Sequence, residues 1–180
     1  MKETKKITVS ALTVALGTLF MVLGAVFSVL DLSAVMLASL LVVFIYIELG
    51  HPYTWLVWLA TTLATFLFYP GSLMWLIYLT VFGLYPILKG YIEKLPRPLW
   101  LILKLVFLNV MLTVLTLFSE LLTGVSFFGD VSDIPLDPTV IYIALWVIMN
   151  IAFILYDRLI VVMIAFYELR IRPKIKNLLK

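Results

Sequence analysis

Apolar residues fall along this chain in six long runs, and each run closes at a residue type that stops a helix or meets water. The first is Ile7–Leu30, closed by Asp31. The second is Leu32–Leu49, closed by Gly50-His51-Pro52, and the third is Tyr53–Tyr69, closed by Pro70-Gly71. The fourth is Ser72–Ile92, followed by Pro96-Arg97-Pro98; the fifth is Leu99–Leu122 and the sixth Thr139–Leu169. About 20 helical residues cross a hydrocarbon core ~30 Å thick, and backbone facing lipid must satisfy its own N–H and C=O groups. Each run therefore predicts a transmembrane α-helix. Proline and glycine mark the joints, and connections this short make successive helices antiparallel neighbours. The exception is Thr123–Pro138, a loop that carries Asp130, Asp133 and Asp137 and no basic residue. The expected architecture is one all-α, polytopic membrane domain over residues 1–180, with a polar tail over Arg170–Lys180.

Composition turns this pattern into a statement about solvent. Of 180 residues, 64% are hydrophobic and 13% charged, and the mean hydropathy is +1.18. A water-soluble domain needs a larger charged share to cover its surface, so lipid must be the solvent of this chain. The net charge of +3 says less than the placement of the charges. Numbering the connections alternately puts Lys2, Lys5, Lys6, Lys94, Arg97, Arg170, Arg172, Lys174, Lys176 and Lys180 on one side. Lys89, Lys104 and Arg158 lie close enough to that side to snorkel to it. Asp31, Asp130, Asp133 and Asp137 fall on the other. Five or seven helices would split the basic ends, whereas six gather them. The basic side is expected to be cytoplasmic, with both termini there in a multi-pass plasma-membrane protein. The last segment, Thr139–Arg170, holds 32 residues, roughly 48 Å of helix. It either protrudes into the cytoplasm or bends near Asp157-Arg158.

Enzymatic chemistry finds little footing. There is no GxxxxGK[ST] loop, no cysteine and one histidine, His51, read as a solvated turn residue. No catalytic residue, metal site, cofactor or nucleic-acid partner is expected. The intramembrane polar residues carry the remaining information, because they are costly in lipid. Glu120, near the outer end of the fifth run, reads either as the site of an incoming cationic group or as an interfacial carboxylate. Asn109 and Asn150 sit mid-span, where an amide wants a partner, either each other or a ligand. Tyr142 and Trp146, at i,i+4 spacing, line an outward pocket with Glu120 or belong to packing and interface belts. The same belt reading covers Tyr53, Trp55 and Trp58 at one boundary and Tyr69, Trp75 and Tyr78 at the other. Lys89 and Glu93 have ion-pair spacing, Lys104 and Asp157 can pair if the fifth and sixth helices touch, and Glu48 reads as solvated.

The first run opens Ser10-Ala11-Leu12-Thr13-Val14-Ala15-Leu16-Gly17, with Gly24 further along. Ala11 and Ala15 make an AxxxA pair, a flat strip on which another helix can pack closely. With its length, six short-looped helices and basic N-terminus, the chain resembles the substrate-binding subunits (S components) of energy-coupling factor transporters. In those, such a strip on the first helix docks a shared transmembrane T component, and two ATPases complete the machine. The resemblance implies docking through Ala11 and Ala15, and uptake of a small molecule such as a vitamin. It places the substrate in the outer half near Asp31, Asn109, Glu120, Tyr142, Trp146 and Asn150. The outer region is poor in polar residues for a vitamin pocket, which suits a more apolar ligand or none. A different class fits the same architecture: a scaffold akin to the rod-shape-determining D protein of the bacterial cell-envelope complex, which needs docking faces but no cavity. A lipid-handling role is the third reading.

Overall fold

The computed structural model describes residues 3–27, 30–124 and 137–174, and all regular structure among them is helical. We number the helices α1 (Glu3–Val26), α2 (Asp31–Leu49), α3 (His51–Phe68), α4 (Met74–Ile92), α5 (Arg97–Thr123) and α6 (Pro138–Phe166, continued to Lys174). All but α3 are long and apolar enough to cross a membrane. α3 has 18 residues, but His51 and four threonines dilute its apolar character. The exposed faces are themselves apolar: Leu67, Leu121 and Leu169 are each more than three-quarters exposed. Buried positions, by contrast, include Ser39, Thr54, Thr61, Thr65, Lys89 and Lys104. This inverts the pattern of a water-soluble protein and agrees with lipid as solvent.

Contacts fix which ends lie together. Tyr53 donates its hydroxyl to Glu3, joining the starts of α3 and α1. His51 meets Tyr91, joining the start of α3 to the end of α4. Arg172 pairs with Glu48, joining the end of α6 to that of α2. We call this the basic end; the starts of α2, α4 and α6 form the acidic end, with Asp31 and Asp137.

The joints follow local chemistry. Only Gly50, at φ +82°, separates α2 from α3, a conformation that suits glycine. His51 and Pro52 open α3 rather than preceding it, because proline fits a first helical turn. Gly124, at φ +68°, ends α5 the same way. α1 stops at Val26, four residues short of the apolar run. α6 passes unbroken through Asp157 and Arg158 and loosens only into a π-helical turn over Tyr167–Ile171. Of the two forms open to the last helix, it takes the long one. The loop from residue 125 to 136, with Asp130 and Asp133, lies outside the described residues.

Two packing regimes divide the bundle. α1, α2 and α3 approach through small residues. A Cβ on Gly24 would run into the Cβ of Ala34, and one on Gly17 would sit 3.2 Å from Thr61 Cγ2. The threonines of α3 satisfy their hydroxyls within the helix, Thr54 on Gly50 O, Thr62 on Trp58 O and Thr65 on Thr61 O. Gly17 and Gly24 thus face inward while Ala11 and Ala15 are exposed, so the small residues of α1 form two faces and not one strip.

The second regime is polar. In α4, Pro86 has no N–H to give Phe82 O, and a π-helical turn over Tyr78–Phe82 precedes it. The Tyr156 hydroxyl of α6 donates to that freed carbonyl at 3.4 Å and lies 2.6 Å from Ser39 Oγ of α2. Tyr78, expected in an interface belt, is instead wholly buried in the core.

Candidate functional site

Three polar constellations stand out, and each is built from several helices. At the basic end, Asp157 of α6 accepts from Lys89 and Tyr85 of α4 at Oδ1 and from Lys104 of α5 at 2.9 Å and 3.0 Å. Glu93, just past α4, pairs with Lys89 at 2.7 Å and with Lys104 at 2.9 Å. Both expected pairs form, and they fuse into one quartet of two lysines and two carboxylates. Lys89 and Lys104 are 3% and 6% exposed, so their charges depend on these partners. Burial alone would raise the Glu93 carboxyl, but the two lysines hold it below its ordinary value. Glu48, expected to be solvated, instead accepts from the Tyr167 hydroxyl at 3.1 Å and pairs with Arg172 at 2.8 Å. His51 likewise has a partner, Nδ1 lying 3.2 Å from the Tyr91 hydroxyl, and its ring sits beside Tyr46.

Midway along α5 and α6, Asn109, Trp146 and Asn150 come together. Asn109 Nδ2 donates to Asn150 Oδ1 at 2.9 Å and to Leu105 O at 2.8 Å. Asn150 Nδ2 donates to Trp146 O at 2.9 Å and Asn109 Oδ1 at 3.3 Å. The Trp146 indole donates to Asn109 Oδ1 at 2.5 Å. Every amide hydrogen has an acceptor in the cluster or on the backbone one turn away, which makes it an interhelical clamp.

At the acidic end, Asp31 stands between two hollows. One, of about 210 Å³, is walled by apolar residues of α4, α5 and α6, among them Val81, Phe82, Leu112 and Phe153. The other, of about 320 Å³, lies towards the end of the bundle against Tyr69, Ser72 and Met74. Asp31 and Ile77 line both. Asp31 Oδ1 is buried with no hydrogen-bond partner among the described residues, a costly condition for a carboxylate oxygen. Glu120 and Tyr142 are exposed and line neither hollow. The outer-half residues expected to share one site are thus divided. Asn109, Trp146 and Asn150 cluster, and Asp31 faces the hollows, which Glu120 and Tyr142 do not line.

On the flank of α1, exposed Ala11 and Ala15 line a groove of about 420 Å³ with Thr18 and Leu19, closed on its far side by Ala64 and Phe68 of α3. Thr18 is 6% exposed and its Oγ1 has no hydrogen-bond partner among the described residues.

The roles of Tyr85 and of the Phe82 carbonyl are not apparent from the sequence alone. Pro86 is the available signal, since a mid-helix proline frees the carbonyl four residues earlier. Among the described residues no three His, Asp or Glu side chains converge as metal ligands. Compared with protein-family models, with characterised proteins and with solved structures, the chain matches none.

Proposed function

We propose that this chain is a six-span membrane subunit that binds a small molecule from the acidic side and docks a partner membrane protein through α1. In this reading it works as the S component of an energy-coupling factor transporter does, with its basic end and both termini in the cytoplasm. The observation that carries the reading is the groove at Ala11 and Ala15. These alanines are exposed although a small-residue strip gains most when another helix covers it. Thr18 adds an unpartnered hydroxyl within the same groove. A T-type subunit laid there would bring the ATPases that the sequence lacks. Asp31 and its apolar hollow support a substrate with a small apolar body and one positively charged or hydrogen-bond-donating group. The fully satisfied amide clamp keeps Asn109 and Asn150 out of that contact.

The scaffold reading draws on the modest hollow, which is smaller than the usual ligand pocket of ~300–1,000 Å³. Affinity purification from the native host in mild detergent separates the two. Recovery of a T-type subunit with two ATPases from wild type, and its loss from Ala11→Leu/Ala15→Leu at unchanged melting temperature, is the expected result. Recovery of cell-wall synthesis proteins without any ATPase, or an undisturbed complex in the double variant, overturns it.

A further inference from the structure

A second polar hollow, of about 400 Å³, opens between α5 and α6 at the basic end, remote from Asp31. Its floor is formed by Glu93, Lys104 and Asp157 of the quartet, in which two lysines already neutralise two carboxylates. Its rim carries Arg97 at the start of α5 and Arg158 on α6. Both arginines are exposed, and neither takes part in an ion pair among the described residues. The hollow therefore presents two uncompensated guanidiniums over a neutral floor. The positive end of the α5 helix dipole lies beside them and adds to the attraction for an anion. We propose that this cleft binds a phosphate group, and that the phosphate belongs to an acidic glycerophospholipid.

The chemistry selects phosphate because guanidinium forks match its oxygens in paired hydrogen bonds. The surroundings select a lipid source. Trp100 lines the cleft, and an indole there marks the depth at which headgroups lie. Leu101 and Val161 share its wall and are 56% and 46% exposed, so an apolar surface continues from the rim to where acyl chains run. Basic pockets between membrane helices hold acidic lipid headgroups by this combination. A soluble phosphate ester would use the arginines but gain nothing from the apolar wall.

The test uses the full chain reconstituted in phosphatidylcholine vesicles containing a minor fraction of phosphatidylglycerol. Lipids retained after gentle detergent release are counted by native mass spectrometry. Wild type should retain phosphatidylglycerol over phosphatidylcholine by about 25-fold, about fivefold for each arginine. Arg97→Gln/Arg158→Gln should lose that preference, and Arg170→Gln/Lys174→Gln, which lies outside the cleft, should keep it. Both arginines are exposed and unpaired, so the first variant should melt with wild type in detergent. A parallel arm adds inorganic phosphate to lipid-free protein. If phosphate raises the melting temperature of wild type but not of the cleft variant, while no lipid preference exists, the anion site stands but its ligand is soluble. Absence of both effects, or equal loss of preference in the two double variants, overturns the site.

Discussion

Asp157 shows how a single side chain can set the terms for three helices. Its two oxygens receive Tyr85, Lys89 and Lys104, and the lysines are nearly inaccessible. Asp157→Asn keeps the shape but leaves two buried ammonium groups with only Glu93. The expected cost is about 3–5 kcal/mol, the usual consequence of breaking a buried pair from one side, read as a fall in thermal or denaturant stability in detergent. Removing the matched charge should recover much of this, so Lys89→Met/Asp157→Leu should be more stable than Asp157→Asn alone. A double variant no better than the single would show that the quartet is not balanced as described. The pairs in this quartet were legible in the sequence because Lys89 and Glu93 are one turn apart and Lys104 and Asp157 lie at the same depth. Their fusion was not, since nothing in spacing tells how far apart α4, α5 and α6 stand. Glu48 was misread for a related reason: its partners, Tyr167 and Arg172, come from the extension of α6, whose straightness the sequence left open.

At the scale of an element, the contrast between α4 and the α5–α6 pair is informative. The run Ser72–Ile92 reads as an ordinary span, yet Pro86 frees the Phe82 carbonyl and the helix widens just before it. The resulting acceptor is taken by Tyr156 at 3.4 Å. Asn109 and Asn150 illustrate the opposite case. Their depth predicted a hydrogen bond across helices, and they make it, with Trp146 as the third member. A double-mutant cycle on Asn109→Leu and Asn150→Leu should give a coupling of roughly 0.6–1.7 kcal/mol, the range of polar pairs between membrane helices. A coupling indistinguishable from zero would mean that the amides find equal partners once separated. The two faces of α1 were hidden for a geometric reason. Ala11 and Ala15 differ from Gly17 and Gly24 in angular position, and only the placement of α2 and α3 decides which face is covered.

Across the whole molecule, the alternation of basic and acidic ends was visible in the sequence, and the contacts Glu3–Tyr53, His51–Tyr91 and Glu48–Arg172 gather those ends as that alternation requires. The candidate site was less visible. A hollow is the space that side chains fail to fill, so it depends on several helices at once, and Asp31 could be named only as an isolated carboxylate. The threonine face of α3 has a further consequence. Thr54, Thr62 and Thr65 spend their hydroxyl hydrogen bonds within the helix, and apart from Glu3–Tyr53 no side-chain hydrogen bond or ion pair among the described residues joins α1, α2 and α3. The ion quartet and the amide clamp tie α4, α5 and α6 to one another, and Tyr156, Tyr167 and Arg172 tie α6 to α2. The protein is thus mechanically uneven, slippery around α1 and riveted from α4 to α6. Pulled from its N-terminus by an atomic force microscope in a supported bilayer, it should yield α1 alone in a low-force step, whereas α4 to α6 should rupture together.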